Sequence, residues 1–343
     1  MPQSRLALKR AVRLAKFLLN VAAGGASVAT VLSLAGNLWW VFELFEHPRP
    51  QYCLILIVAI VVGGISRQAW SFAWCLPLLL NLVLIVPLFF SSPQGSYLQP
   101  ANLIPGSTLR LLLVNLDHQN QDTSPAIQYI ESQNIDVVLL QEVTSRWLST
   151  LQSNLSRYRV ATSLPRENST GVAMLVPTTP SKSVEIVATQ IVELPPNSGA
   201  PLVETTLRWG GKEVVILGLS IARPRNRDSS AFQQVEFNAA AEWSHRQQRQ
   251  DKRDVVVMGD FNTTPWSDRF RKFLQDSDLR NSLRGFGLQP TWHAALPSPL
   301  MIAIDHCLHS QSITTINRAS GSNIGSDHLP LFVELRRGFQ SSN

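Results

Sequence analysis

Cysteine is scarce in this chain. Three thiols occur in 343 residues, and two of them, Cys53 and Cys75, sit in apolar runs. Only Cys307 lies beyond residue 103, which excludes a disulfide framework and a cysteine-rich zinc site. Charged residues are scarce too, at 16%, against about 25% in ordinary soluble domains. Glycine numbers only 18 and hydrophobic residues reach 45%, which excludes collagen-like repeats and wholesale disorder. No GxSxG nucleophile elbow and no GxxxxGK[ST] phosphate loop is present. A serine hydrolase and a nucleoside-triphosphate motor are therefore disfavoured.

The net charge of +6 is unevenly spread. Residues 1–103 carry seven Lys/Arg and two acids, while the remainder carries 23 Lys/Arg and 22 Asp/Glu. The larger part thus has no global positive field of the kind that draws a protein to nucleic acid. Its local basic clusters, RPRNR at 223–227 and HRQQRQDKR at 245–253, read first as solvated surface.

Most of the apolar excess lies before residue 91. No charge occurs between Lys16 and Glu43, a stretch of 26 residues, and a bilayer-spanning helix needs about 20. Trp39 and Trp40 close this run, where amphipathic rings favour a membrane interface. A second uncharged run lies between Arg49 and Arg67, and a third covers Gln68–Phe90 with 23 residues. Residues 1–90 therefore read as a multi-pass membrane region with about three transmembrane helices, the last two forming a tight hairpin. The first run is too long for a cleaved signal peptide and other apolar runs follow it directly. Arg5, Lys9, Arg10, Arg13 and Lys16 precede the first span, so the positive-inside rule keeps that end cytoplasmic. Three spans then place the rest on the extracytoplasmic face of the cell membrane; two would reverse it. Residues 91–106, rich in Pro, Gly and Ser, read as a linker. Residues 107–337 read as the main domain and 338–343 as a tail.

Within that domain, β-branched runs predict strands at 109–115, 136–140, 171–176, 184–192, 202–208, 213–219, 255–258, 302–308 and 329–335. Helices are expected at 124–134, 145–155, 229–250 and 267–275. Strands and helices alternate at first, then strands follow one another, which predicts a layered α/β fold with mixed sheets. Polar residues gather just past the strand ends: Asn115, Gln141 and Glu142, Asp260 and Asn262, Asp305 and His306, Asp327 and His328. Any one of these could be a turn former or helix cap. Five such places, each delivering Asp, Glu, Asn or His, form a set of hard oxygen donors suited to Mg²⁺ or Mn²⁺. Together with an imidazole they can neutralise a phosphate, position a water and take its proton.

The pieces QE at 141–142, GDFNTTPWS at 259–267, IDH at 304–306 and GSDHLP at 325–330 stand in that order, with Asn115 ahead of them. On these residues the chain resembles the endonuclease/exonuclease/phosphatase superfamily, and TW at 291–292 with IDH and NTTPWS resembles its small membrane-anchored bacterial branch. The resemblance covers about residues 107–337. It implies a four-layer α/β sandwich, two mixed β-sheets flanked by helices, here preceded by an N-terminal transmembrane helical region. It also implies metal-dependent hydrolysis of phosphate esters by an activated water. Glu142 would bind the metal with Asn115 beside it and Asp327 completing its surroundings. Asp260 would orient or deprotonate the water, Asn262 would hold a phosphate oxygen, and His328, oriented by Asp305, would contact the phosphate. Many members carry a His where Ser220 stands. A serine hydroxyl can hydrogen-bond a phosphate but is a poor acid near neutral pH, so Ser220 is expected to bind substrate, with Arg223, Arg225 or Arg227 supplying charge. His306 alternates to the opposite face from Asp305 and reads as structural. Trp266 is expected to pack under the GDFN loop rather than stack on a base, and His293 to lie on an exposed loop.

The partners implied are a phosphate-ester substrate, either nucleic acid or a phospholipid headgroup, and the lipid bilayer. No obligate protein partner is evident. A non-catalytic membrane protein using the fold as a binding module is the alternative that the missing His would favour.

Overall fold

The segment LRLLLVN buries side chains on both of its faces, and this explains its unbroken apolar run. In the computed structural model, which describes residues 2–36, 38–90, 108–179, 181 and 183–337, it forms strand β1 (Thr108–Asn115). Leu109, Leu111 and Leu113 face one core, whereas Leu112 and Val114 face another. Central strands covered on both sides have this composition. The remaining strands are β2 (Val137–Gln141), β3 (Tyr158–Leu164), β4 (Val172–Pro177), β5 (Val184–Glu193), β6 (Pro201–Trp209), β7 (Lys212–Ser220), β8 (Asp254–Asp260), β9 (Arg280–Asn281), β10 (Asp305–His309), β11 (Ile313–Ser320) and β12 (Leu331–Arg337).

They form two six-stranded mixed sheets. One has the order β11-β12-β1-β2-β4-β3 and the other β5-β6-β7-β8-β10-β9. The inner faces share one core, in which Leu109, Leu139 and Met174 of the first sheet meet Trp209, Ile216 and Met258 of the second. Helices α5 (Ser124–Ser132) and α6 (Ser145–Asn154) cover the outside of the first sheet through Ile130, Trp147 and Leu151. Helices α7 (Arg227–Arg249) and α8 (Asp268–Ser277) cover the second through Phe237, Trp243, Phe270 and Phe273. The four layers expected from the sequence are therefore present.

Local signals explain the helix starts. The Thr144 side chain accepts from the Trp147 N–H at the head of α6, a cap worth about 1 kcal/mol. Asn226 and Ser229 form a reciprocal capping box at the head of α7. The four helices match expectation to within two residues at either end. Strands β3, β9 and β11 were not anticipated. β3, β9 and β11 each pair on one side only, and β3 and β11 carry partly exposed polar residues, so neither shows a continuous apolar run.

The chain divides into two compact units, Met1–Pro87 with Trp266–Asp268, and Leu88–Pro265 with Arg269–Asn343. The first contains α1 (Pro2–Ser33), α2 (Trp40–Leu44), α3 (Arg49–Ile65) and α4 (Cys75–Ile85). Two helical stretches, Arg5–Ser33 and Ala69–Phe89, are long and apolar enough to cross a membrane, whereas Arg49–Ile65 is apolar but shorter. Val28, Val31, Leu54, Val61, Leu79 and Val83 are all exposed. The polar groups turn inward instead: Arg49 Nη1 donates to Asn81 Oδ1 at 3.0 Å, and Asn81 Nδ2 donates to Thr30 Oγ1 at 2.8 Å. Such inverted packing suits helices joined in an apolar surrounding. The expected linker at 91–106 and tail at 338–343 lie outside the described residues.

Candidate active site

Strand register assembles the polar residues at one edge of both sheets. Parallel β1 and β2 place Asn115 opposite Gln141. Parallel β7 and β8 place Ser220 opposite Asp260, and antiparallel β10 places Asp305 opposite the same Asp260. Ser220, Asp260 and Asp305 thus form a row across three neighbouring strands. The Gln141 side-chain amide donates to the Leu219 carbonyl and ties the two sheets together beside that row. Gly259 permits the close approach of β7 and β8, since a Cβ there would lie 1.8 Å from the Leu219 oxygen.

His328 enters from the loop before β12. Its Nδ1 lies 2.8 Å from Asp305 Oδ2, and its Nε2 lies 3.9 Å from Asp260 Oδ2. All three are buried. Burial pulls the His328 pKa down, but the charge and hydrogen bond of Asp305 and the charge of Asp260 overcome this and raise it. The two carboxylates therefore favour the imidazolium form of His328. Burial raises the Asp260 pKa, and the His328 charge opposes the rise. A carboxyl poised in this way is able to take up a proton.

Asn262 completes this half of the site. Its backbone N–H donates to Asp260 Oδ1 at 2.7 Å, and its side-chain NH₂ donates to Asp260 Oδ2 at 3.1 Å and to the Ile221 carbonyl at 2.8 Å. The Arg223 Nε donates to Asn262 Oδ1 at 3.2 Å, and the guanidinium lies 5.3 Å from the centre of the Trp292 ring. Trp292 in turn donates its indole N–H to Asp327 Oδ2 at 3.0 Å.

The other half centres on Glu142. Asn115 Nδ2 donates to its Oε1 at 3.2 Å, and the backbone N–H of His118 donates to its Oε2 at 3.2 Å. The His118 ring Nδ1 lies 2.5 Å from that same Oε2. Ligand atoms of Asp117, His118 and Glu142 all fall within 4.8 Å of one another, and so do those of Asp260, Asp305 and His328. The first group, partly exposed and rich in carboxylate, has donor chemistry that fits a hard divalent cation. Asp327 is not in that group. It lines the same cleft, but its carboxylate accepts from Trp292.

Three non-glycine residues at this edge have positive φ: Asp117 at 54°, Glu142 at 58° and Asn262 at 48°. Backbone held in this sparsely populated region costs of the order of 1–3 kcal/mol and persists where surrounding contacts enforce it. Here it aims Glu142 and Asn262 away from their strands into one cleft of about 790 Å³. Ser220, Arg223, Asp260, Asn262, Glu142 and Asp327 all line it.

Sequence reasoning missed His118 and Glu236. His118 sits three residues after Asn115 in NLDH, a signal that was available but lay beyond the strand end. Glu236, in the middle of α7, had no local signal. His306 is structural, as expected. It is fully buried, its Nε2 is 2.9 Å from the Thr263 carbonyl, and its ring lies 4.4 Å from that of Phe270. Trp266 is buried and cannot stack on a base. His293 is partly buried and lines the cleft.

Comparison with known proteins agrees with this geometry. No curated protein sequence matches the chain. Among solved structures it is similar to a mannosyl-6-phosphatase from Bacteroides thetaiotaomicron, at 17% identity and TM-score 0.54, over 66% of this chain and 99% of that one. An endonuclease/exonuclease/phosphatase from Bacteroides vulgatus matches at 16% identity and TM-score 0.53, over 67% and 99%. D. rerio TDP2, in complex with a single-strand DNA product, matches at 14% and 0.52, over 67% and 99%. These likenesses show the fold. The sequence profile of the Endonuclease/Exonuclease/phosphatase family matches residues 112–328, from β1 to His328, so the chain belongs to that family of metal-dependent hydrolases of phosphate esters.

Proposed function

We propose that this protein is a membrane-anchored, Mg²⁺-dependent phosphoesterase that hydrolyses phosphodiesters or phosphomonoesters by direct attack of water. The observation that carries this reading is the convergence of Asp260, Asn262 and Glu142 on one cleft, with the buried His328 and Asp305 pair beside Asp260. Its domains are the membrane region at 1–90, a linker at 91–106 and the hydrolase at 107–337. Arg5–Ser33 and Ala69–Phe89, with their exposed apolar side chains, support the anchor.

Glu142, with Asn115, His118 and Asp117 around it and Asp327 in the same cleft, would hold the divalent cation, Mg²⁺ or Mn²⁺, which supplies positive charge to the phosphate. Asp260 holds the attacking water and accepts its proton. Its two oxygens are fixed by Asn262, so the lone pair that takes the proton keeps a constant direction. The His328 imidazolium, held by Asp305, donates to a phosphate oxygen as negative charge builds there. Arg223 fixes the Asn262 amide and adds charge beside the substrate. Ser220 offers a hydroxyl to the same phosphate.

A phospholipid headgroup is the second reading for the substrate, favoured by the two long apolar helices. Nucleic acid is supported by the basic RPRNR and HRQQRQDKR clusters, while the near-neutral charge of the domain argues against it. The test is hydrolysis by the full-length protein in detergent of a chromogenic phosphodiester, DNA, RNA, phospholipid and sugar phosphate, with and without Mg²⁺. Turnover that needs the metal is expected for at least one of these. No turnover on any of them, with the protein folded, refutes the reading.

A further inference from the structure

Of the titratable groups lining the cleft that the mechanism above leaves idle, Arg225, Glu236 and His293, only Glu236 is buried. Glu236 lies in the middle of α7, on the buried stripe formed by Ser230, Gln233, Phe237, Ala240 and Ser244. This stripe is the face that a helix packed on a sheet should fill with apolar or hydrogen-bonded side chains. Glu236 is nevertheless 3% exposed and makes no ion pair among the described residues. Its Oε2 accepts from the Ala222 N–H at 2.8 Å, the one hydrogen bond it makes among the described residues. Ala222 is two residues beyond Ser220, and Ser220, Ala222 and Glu236 all line the cleft that contains Asp260 and Asn262.

An unpaired carboxylate is expensive to bury, so such a site favours the neutral acid. A neutral acid can supply the proton whose donor the mechanism above leaves unassigned. Water attack on a phosphate ester expels an alkoxide that needs a proton. Asp260 starts as the proton acceptor, and Ser220 replaces the histidine found in many relatives with a hydroxyl too weakly acidic to donate near neutral pH. We infer that Glu236 is the general acid that protonates the leaving oxygen.

This assignment rests on the phosphoesterase reading and completes its proton balance. The water oxygen forms the new P–O bond and gives one proton to Asp260. The P–O bond to the leaving group breaks, its electron pair stays on the leaving oxygen, and the Glu236 O–H proton moves to that oxygen. Asp260 and Glu236 then exchange protons with solvent. Burial raises the Glu236 pKa to about 7, and the Ala222 N–H opposes the rise. The charged groups sharing its wall of the cleft are Arg223 and Arg225 on the loop after β7 and Asp260 at the end of β8.

The test uses full-length protein carrying Glu236→Gln. The amide oxygen can still accept from the Ala222 N–H, so the loop after β7 keeps its anchor while the transferable proton is lost. Wild type, Glu236→Gln and Asp260→Asn are compared on a series of phosphate esters whose leaving groups run from nitrophenol to simple alcohols. The loss of kcat in Glu236→Gln should grow along the series and reach about 10²-fold or more for the alkyl esters, as general-acid help predicts. The fall in rate above about pH 7 should also disappear from its profile. Asp260→Asn should lose activity evenly along the series. A Glu236→Gln loss that is uniform along the series, or absent, shows Glu236 to be only the anchor of Ala222 and overturns the inference. A wild-type chain that cleaves none of the esters overturns the phosphoesterase reading instead, and this assignment with it.

Discussion

Asp305 Oδ2 and His328 Nδ1 stand 2.8 Å apart, both buried, although 23 residues separate them in the chain. The contact fixes which nitrogen of the ring faces the cleft. It also holds the ring protonated, since the carboxylate raises the imidazole pKa above its usual value. Asp305→Asn should therefore lower the His328 pKa, because only the charges of Asp260 and Asp327 are then left to oppose burial. NMR titration of the His328 ring reads this directly. Turnover at pH 7.5 should drop by about 10²–10⁴-fold, because the phosphate loses a cationic donor. A His328 that stays protonated in the variant would refute this account of its charge.

Glu142 and Asp260 should separate metal binding from proton transfer. In Glu142→Gln, the gain in melting temperature produced by Mg²⁺ or Mn²⁺ should shrink or vanish, because ligand-linked stabilisation follows occupancy. In Asp260→Asn the metal-induced gain should persist while turnover falls by about 10²–10⁴-fold. Calorimetric melts with and without metal, alongside initial rates, distinguish the two. Equal loss of the metal effect in both variants would contradict the division of roles.

Arg223 bonds Asn262 and lies over the Trp292 ring, so it should act on substrate binding more than on the proton steps. Arg223→Met is expected to raise KM about tenfold or more, in keeping with the roughly 1.5–3 kcal/mol of a hydrogen bond to a charged group, with a smaller fall in kcat. Steady-state kinetics on the best substrate settles this. A fall confined to kcat would mean that Arg223 serves the transition state instead.

His306 is buried with its pKa pushed down to about 3 by desolvation, which outweighs its bond to Thr263. The folded protein therefore refuses a proton that the unfolded chain accepts below pH 6.5. The stabilising part of this neutral ring is fully present above pH 6.5. It is lost at about 1.4 kcal/mol per pH unit as the pH falls from 6.5 towards 3. His306→Gln should be less stable than wild type at pH 7.5, and that gap should narrow on acidification. Denaturant melts at pH 7.5, 6 and 5 provide the measurement, and a gap independent of pH would be the contrary result.

On the proposed membrane-anchored reading, sidedness depends on whether the shorter apolar helix Arg49–Ile65 crosses the bilayer. With three crossings and the five N-terminal cations inside, a reporter fused after Asn343 should be active only if it is an export-dependent type. Activity of a cytoplasmic reporter at that position would instead mean that two helices cross.

Much of the site could be read before any fold was known. Asn115, Glu142, Asp260, Asn262, Asp305 and His328 each follow or precede an apolar strand, and strand ends at one sheet edge are where such residues converge. The two apolar stretches that qualify as spans could likewise be read from length and the absence of charge. Strands β3 and β11 could not, because an edge strand with a partly exposed face lacks the uniform hydrophobicity that marks a central one.

The sequence alone determined the layered α/β class and the residue types of the candidate site, because these follow from local periodicity and residue identity. Tertiary structure decided which of those residues meet. Asp305 meets His328, and His118 meets Glu142, through register between strands and the positive-φ turns that end them. The same structure placed Glu236, silent within an ordinary helical pattern, on the wall of the cleft that Asp260 and Asn262 line. Burial without a counter-charge depends on what packs around a side chain, and no spacing along the chain encodes that.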